Sequence, residues 1–402
     1  MNYYQKWKKI VLIIVWKQLL VKLIIEHFQI WYLKNGKSKF NKGIFTLKIV
    51  YISNSIIPSR AANSIHVMKM CQAYASNGHE VTLLAPDLNE KYEDDVSDIY
   101  KFYNVKNNFK IVKLSAPNLK GRTLFYCLSI FKYLLFNKVD LVYGRYILGC
   151  YMATLLGLKT IFESHTPIFE ENKLSKCFFN KIVKSKNFKK FVVISEALKE
   201  KYIEKGYLDK DKIYVAHDGA DEVVDFDSKI ELFGNSEINV AYIGHLYKGK
   251  GMEVIEKLSL ALNNVGFHIV GGTNEDIRYW KEKIKNDNVY FYGFVNQNEI
   301  KKYINSVDIC LLPNQKIVLT HGNESKINIS EYTSPLKMFE YMAAKKAIIS
   351  SDLDVLREVL NENNSILVNY DNIKEWEIAI EKLQDLTFRE KKRRVLEVIG
   401  RV

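Results

Sequence analysis

Two segments ninety residues apart hold the residue types that phosphate chemistry needs: GHLYKGKG at 244–251 and SPLKMFEYMAA at 334–344. The chain before Ser334 is polar and irregular, and after it Leu336, Phe339, Met342 and Ala343 recur at helical spacing, so Pro335 marks the first turn of a helix. The N–H groups of a helix start lack intrahelical partners and sit at the positive end of the helix dipole. Peptide groups around Ser334, Pro335 and Leu336 can therefore hold a diphosphate, and Glu340, further along, can accept from ribose hydroxyls. In GHLYKGKG, Lys250 supplies a point charge, Gly244 and Gly251 allow close backbone approach, and His245 donates when protonated or suitably tautomeric. This segment matches the ATP-binding pattern G-x-x-x-x-G-K-[ST] except at its end. Gly251 has no hydroxyl for Mg²⁺, which argues against an NTPase and leaves a metal-free phosphate grip. The plain alternative is a glycine-rich turn with solvated lysines.

Positioning such residues requires strands that end at them. Residues 47–53 read as a buried strand, a polar loop and a helix around 65–74 follow, Asn77-Gly78 stops that helix, and 80–85 reads as the next strand. Further strands are expected at 109–114, 141–143, 160–163, 191–194 and 213–216, with helices around 124–136, 149–156 and 196–205. A second alternating series places strands at 239–243, 267–270, 289–292, 309–312, 347–350 and 365–368, and helices near 252–263, 276–285, 297–304, 335–344 and 353–361. Such alternation predicts an α/β protein of two Rossmann-like, doubly wound parallel-sheet domains at 47–222 and 223–390, between a basic leader (1–46) and a basic tail (391–402). Ligands in these sheets bind outside the carboxyl ends of the strands, so a cleft between two facing domains is the expected active site.

Composition narrows the partners. The 402 residues carry 59 Lys and Arg against 46 Asp and Glu, a net charge of +13. Residues 1–42 alone hold nine lysines against Glu26. That balance suits an anionic membrane surface, and the chain lacks the motifs of a nucleic-acid binder. The leader's longest apolar run, 10–16, is far short of the ~20 residues that span a bilayer. Gln18, Lys22, Glu26 and Gln29 instead form a narrow polar stripe on an otherwise apolar helix with Trp7, Trp16 and Trp31, as in a segment lying at a membrane interface; packing on its own protein, or an over-extended gene start, is the alternative. Cys71, Cys127, Cys150, Cys177 and Cys310 lack paired spacing and read as small core residues of a protein from a reducing compartment. No G-x-G-x-x-G follows the first strand of either domain, which argues against a nicotinamide enzyme. The two D-x-D tripeptides, 225–227 and 352–354, are read as chance occurrences.

With these residues in view, the chain resembles the family 4 glycosyltransferases of the two-Rossmann GT-B architecture through much of 47–370. The resemblance is carried by ISNSIIPSRAANSIHVMK (52–69), GHEVTLLAP (78–86), DLVYGRY (140–146), FESH (162–165), VVISEALK (192–199), HDGAD (217–221), YIGHLYKGKG (242–251), YGFV (292–295) and SPLKMFEYMAAKKAIISSD (334–352). It implies transfer with retention from a nucleoside-diphosphate sugar, with no metal or other cofactor expected. On that basis Lys250, His245, Gly244, Gly251 and the peptides of Ser334, Pro335 and Leu336 hold the diphosphate, Glu340 the ribose, and Gly293 with Phe294 the base. His165 meets donor sugar and acceptor, with Glu163 orienting its loop, and Asn63, Ser64, His66 and Arg145 line the acceptor side. The resemblance further implies a lipid-linked or glycan acceptor in bacterial surface polysaccharide or glycoconjugate synthesis, on the cytoplasmic face of the membrane. The rivals are a nucleotide-sugar epimerase of the same architecture and an inactive binding scaffold. One departure stands out: Tyr332 occupies the place, eight residues before Glu340, where the family has a glutamate that meets the donor sugar.

Overall fold

The computed structural model describes residues 46–88, 93, 96–118, 120–221, 223, 225–234, 236–319 and 328–390. The leader 1–42, with the membrane reading placed on it, and the tail 391–402 lie outside the described residues. The chain divides into two compact units between Ala216 and His217. That border precedes the expected 222 because the HDGAD segment is tied to the second unit. The Asp218 N–H donates to Ser334 Oγ at 3.0 Å, and His217 lies 3.5 Å from the Glu358 carboxylate.

The first unit is built on β1 (Lys48–Ile52), β2 (Glu80–Asp87), β3 (Lys110–Ser115), β4 (Leu141–Gly144), β5 (Thr160–Ser164), β6 (Phe188–Val193) and β7 (Ile213–Val215). Its helices are α1 (Ala62–Ser76), α2 (Ile99–Phe102), α3 (Arg122–Phe136), α4 (Ile147–Leu155), α5 (Ile168–Glu171), α6 (Lys173–Val183) and α7 (Glu196–Glu204). The strand order is β3-β2-β1-β4-β5-β6-β7, all parallel. Strands buried on both faces read as near-continuous apolar runs, as do Ile49–Ile52 of β1, after the partly exposed Lys48, and LVYG of β4. Two apolar layers flank the sheet: Ile49, Tyr51, Val67 and Met68 on the side of α1, and Val50, Ile52, Ile130 and Ala153 on the side of α3 and α4.

The second unit repeats the plan with β8 (Ile238–Ile243), β9 (Val265–Val270), β10 (Val289–Gly293), β11 (Ile309–Leu312), β12 (Ala347–Ser351) and β13 (Ile366–Val368). They lie in the order β10-β9-β8-β11-β12-β13, again parallel. Helices α8 (Met252–Ala261), α9 (Asn274–Lys283), α10 (Gln297–Ser306), α11 (Leu336–Ala343) and α12 (Ile373–Gln384) cover it. The order in which strands are added reverses once in each sheet, between β1 and β4 and between β8 and β11. At those points the loops leave opposite faces and open a crevice at the strands' carboxyl ends.

All thirteen expected strands form, within about three residues of their expected bounds. The helix expected over 353–361 does not. It is a single tight turn, Leu356–Glu358, whose Arg357 guanidinium pairs with Asp352 and Glu362, and the Asn364 side chain accepts from the N–H of Asn361 just after it. Both D-x-D segments serve local structure: Asp225 Oδ1 accepts from the N–H groups of Asp227 and Ser228, and Asp352 takes the Arg357 guanidinium. Four cysteines are buried as expected, while Cys177 on α6 is exposed. No helix among the described residues is long and apolar enough to cross a membrane.

Gly251 shows how tightly the second switch point is packed. It caps α8 with φ +99°, and a Cβ there would lie 2.3 Å from the Pro313 carbonyl oxygen just past β11. By contrast Gly121, which caps α3 with φ +95°, has open space around it. Gly251→Ala is expected to destabilise the fold by about 3 kcal/mol or more, strain plus clash, whereas Gly121→Ala costs only the ~1 kcal/mol of strained backbone. Urea denaturation of both variants checks this, and equal losses would contradict it.

Candidate active site

In the second unit, three chain segments meet at the carboxyl end of β8. Gly244 leaves the strand with φ +141° and its N–H bonds to the Val270 carbonyl at 2.8 Å. The loop that follows is pinned from below, where the Trp280 indole of α9 donates to the Leu246 carbonyl at 3.0 Å and the Tyr242 hydroxyl donates to the His245 carbonyl at 2.6 Å. Helix α11 begins at Leu336 with Pro335 as its extended cap, one residue later than sequence spacing suggests, because ψ of Pro335 is 121°. The Ser334 hydroxyl is buried and accepts from Asp218, so it braces the approach to the helix.

The residue that sequence reading missed is Lys337. Its Nζ is buried without a hydrogen-bond partner, lies 3.7 Å from the centre of the Tyr242 ring, and would sit 3.2 Å from a Cβ placed on Gly244. Burial holds its proton affinity well below that of an ordinary lysine; the neighbouring Lys250 lowers it further and Glu340 opposes both. Lys250, half-buried and 5.2 Å above the Tyr247 ring, is pushed down to about 8 by desolvation. Two amines, one enclosed and one half-buried, thus lie by a glycine turn and a helix start. The signal in the sequence was the spacing of Lys337 and Glu340, three apart and so on one face of α11.

Glu340 is oriented by a residue that no sequence pattern pointed to: Gln297 Nε2, at the start of α10, donates to its Oε1 at 2.8 Å. Gly293 ends β10 with φ +75°, and Phe294 beyond it is partly exposed. His245 lies beside Tyr247, with the rings tilted by 32° and 5.7 Å between ring centres. Tyr332, in the place of the family's glutamate, is 1% exposed and belongs to the core, while the adjacent Glu331 is exposed.

In the first unit the carboxyl ends of β1, β4 and β5 hold a second cluster. Glu163, 3% exposed, receives His165 Nε2 at 2.5 Å and His66 Nε2 at 3.1 Å on one oxygen, and the Tyr143 hydroxyl at 2.5 Å on the other. The two imidazoles meet edge to face, 4.7 Å between centres. Glu163 therefore fixes both rings. With Nε2 turned to the carboxylate, His165 is left with Nδ1 for other partners. The Arg145 N–H bonds to the Ile52 carbonyl at 2.9 Å, and its Nη1 is buried without a hydrogen-bond partner. Ser64, expected on the acceptor side, is instead fully buried and staples the loop after β1 through Ile56 O and Ser59 Oγ, each at 2.8 Å; Asn63 beside it is exposed.

Two doubly wound parallel-sheet units, one with a cationic glycine turn against a helix start, define a glycosyltransferase of GT-B fold, and the known proteins bear this out. The model described as Glycosyltransferase Family 4 matches residues 64–223 and that described as Glycosyl transferases group 1 matches residues 237–385. The chain belongs to the family 4 glycosyltransferases. It is 24% identical over 374 residues to an uncharacterised glycosyltransferase of Methanocaldococcus jannaschii, covering 84% of this chain and 89% of the relative. Among solved structures it is similar to a sucrose-phosphate synthase from Thermosynechococcus elongatus, with TM-score 0.66, 16% identity, and 88% and 95% of the two chains covered. It is also similar to Anabaena HepE in complex with UDP and glucose, with TM-score 0.64, 12% identity, and 88% and 94% covered.

The amines set a pH dependence. Any anion held at Lys250 binds best to its protonated form, so above about pH 8 such binding must draw a proton from solution. Affinity for UDP, GDP or ADP, whichever binds tightest, is expected to fall by up to about tenfold per pH unit above pH 8. Calorimetry in buffers of different ionisation heat reads both affinity and proton uptake; a flat profile from pH 7 to 10 would contradict it.

Proposed function

We propose that this glycosyltransferase moves a sugar from a nucleoside-diphosphate donor to a lipid-linked or other glycan acceptor, with retention of configuration and without a bound metal. The observation that carries the reading is the pair of desolvated amines, Lys250 and Lys337, beside the Gly244 turn and the start of α11. Charge appears on the departing diphosphate as the sugar carbon becomes oxocarbenium-like, and fixed cations and N–H groups aimed there lower the barrier. Their low proton affinity means they gain most from an anion at the moment its charge grows. The bond from the anomeric carbon to phosphate oxygen breaks, the acceptor oxygen bonds on the same face, and the acceptor proton passes to the leaving phosphate.

Glu340, held by Gln297, takes the ribose hydroxyls; Phe294 offers a ring edge to the base. The cluster of His165, His66 and Glu163, with Arg145 nearby, serves the acceptor side and the transferred sugar. Relatives support the donor class, since HepE was solved with UDP and glucose. The burial of Tyr332 leaves the sugar without the usual carboxylate partner, so hydroxyl recognition falls to other residues of the loop. The setting that fits best is surface polysaccharide or glycoconjugate synthesis at the cytoplasmic face of a bacterial membrane, reached through residues 1–42.

Lys250→Ala or Glu340→Ala is expected to cut turnover by about 100-fold or more with unfolding unchanged. Lys337→Met is expected to weaken donor binding while raising stability by about 1 kcal/mol, since an unpaired buried cation is removed. Turnover with UDP-, GDP- and ADP-sugars, with products analysed, decides; wild-type rates in both alanine variants would refute the site, and isomerised donor without transfer would mark an epimerase. Vesicle flotation of the full chain against one lacking 1–42 tests the leader, and equal binding would remove its role.

A further inference from the structure

The two amines beside the glycine turn differ in what can reach them. Lys337 Nζ is closed off, with the face of Tyr242 on one side and the Gly244 turn on the other. Lys250 is half-buried and meets solvent, and among the described residues its Nζ has only the Tyr247 ring for company, 5.2 Å from the ring centre. Lysines elsewhere in the second unit are tied to carboxylates. Lys283 pairs with Glu256 and Lys374 with Glu377, and each bond raises the proton affinity of its amine. Lys250 has no such bond, and desolvation pushes it down to about 8. Near neutral pH a far larger share of it is therefore uncharged than of an ordinary lysine, and an uncharged amine is a nucleophile.

The same corner is built to hold a phosphoryl group. The start of α11 has no side-chain cap on its N–H groups, Gly244 presents backbone bare of a side chain, and Lys337 adds charge that no carboxylate neutralises by contact. A reachable nucleophile next to such a cradle favours reagents whose leaving group is a phosphate, because the cradle holds the reagent where the amine can attack it.

We propose that Lys250 is an acylation site that takes its acyl group from small acyl phosphates. The amine nitrogen attacks the carbonyl carbon and a C–N bond forms. The bond from that carbon to the phosphate oxygen breaks, inorganic phosphate leaves, and the amine proton passes to water. The product amide carries no charge, so the corner loses one of its two cations. The effect on sugar transfer rests on the diphosphate reading above, whereas the modification itself needs only a held phosphoryl group. A bound nucleoside diphosphate covers the same cradle, so the donor protects Lys250 and the modification accumulates when donor is scarce.

The test incubates the full chain with acetyl phosphate at about pH 8 and follows each lysine by peptide mass spectrometry. Lys250 is expected to acetylate at least about tenfold faster than the exposed Lys248, two residues away. Inorganic pyrophosphate is expected to slow Lys250 by about tenfold and leave Lys248 unchanged. Lys337→Met is expected to slow the reaction of Lys250 with acetyl phosphate and not its reaction with uncharged p-nitrophenyl acetate, which has no use for the cradle. Equal rates at 248 and 250 would overturn the proposal. So would a fast Lys250 that pyrophosphate does not protect, or one slowed equally toward both reagents by Lys337→Met. Calorimetry of UDP, GDP and ADP on the unmodified chain keeps the two readings apart. Tight nucleotide binding with an unreactive Lys250 overturns the acylation site alone, and pyrophosphate-protected acetylation in a chain that binds no nucleotide supports it while refuting the donor reading.

Discussion

A buried amine without a hydrogen-bond partner is the constraint around which the second unit is arranged. Removing an ammonium from water costs several kcal/mol, and the face of one tyrosine returns only a kilocalorie or two. Lys337 is held in that condition by packing, with Tyr242 beneath it and the Gly244 turn above. The free protein is thereby less stable than it could be, and an anion that enters relieves the deficit. Strain of this kind is affordable only where the surrounding sheet is rigid, and β8 is bonded on both sides by β9 and β11.

The first unit solves the opposite problem. Glu163 is an enclosed carboxylate, and three donors satisfy it: Tyr143, His66 and His165. The two units thus share a sheet plan but bury opposite kinds of ionisable group near the carboxyl ends of their strands, Glu163 near the end of β5 and Lys337 at the start of α11. An unsatisfied cation suits a ligand that brings its own negative charge. A satisfied carboxylate suits a partner that is neutral and must only be oriented, such as a hydroxyl.

Much of this was legible from one sequence, for physical reasons. Strands of a parallel sheet are apolar runs bounded by turn residues, so all thirteen could be placed, and GHLYKGKG and SPLKMFEYMAA declared themselves by glycine, proline and charge. What escaped depended on distant partners. Gln297 reaches Glu340 across forty-three residues, and nothing in its neighbourhood announces it. Ser64 looked like a ligand-facing hydroxyl because its use as a loop staple depends on Ile56 and Ser59 folding back over it. The 353–361 segment has helical spacing, yet Arg357 finds better partners in Asp352 and Glu362 than a helix surface would give. Lys337 could have been noticed by its place on the same face as Glu340, but its burial could not.

The bond from Trp280 to the carbonyl of Leu246 has an optical consequence. An indole whose N–H is anchored to the turn after β8, and whose ring carries the Lys283 ammonium at 4.9 Å, emits from a position wired to that turn. Of the five tryptophans, three lie in the leader, and the remaining two, Trp280 and Trp376, are both in the second unit. Shortened past residue 42, the protein becomes its own spectroscopic reporter, in which any rearrangement of that turn is written into the light of a single indole against a second one fixed in the core.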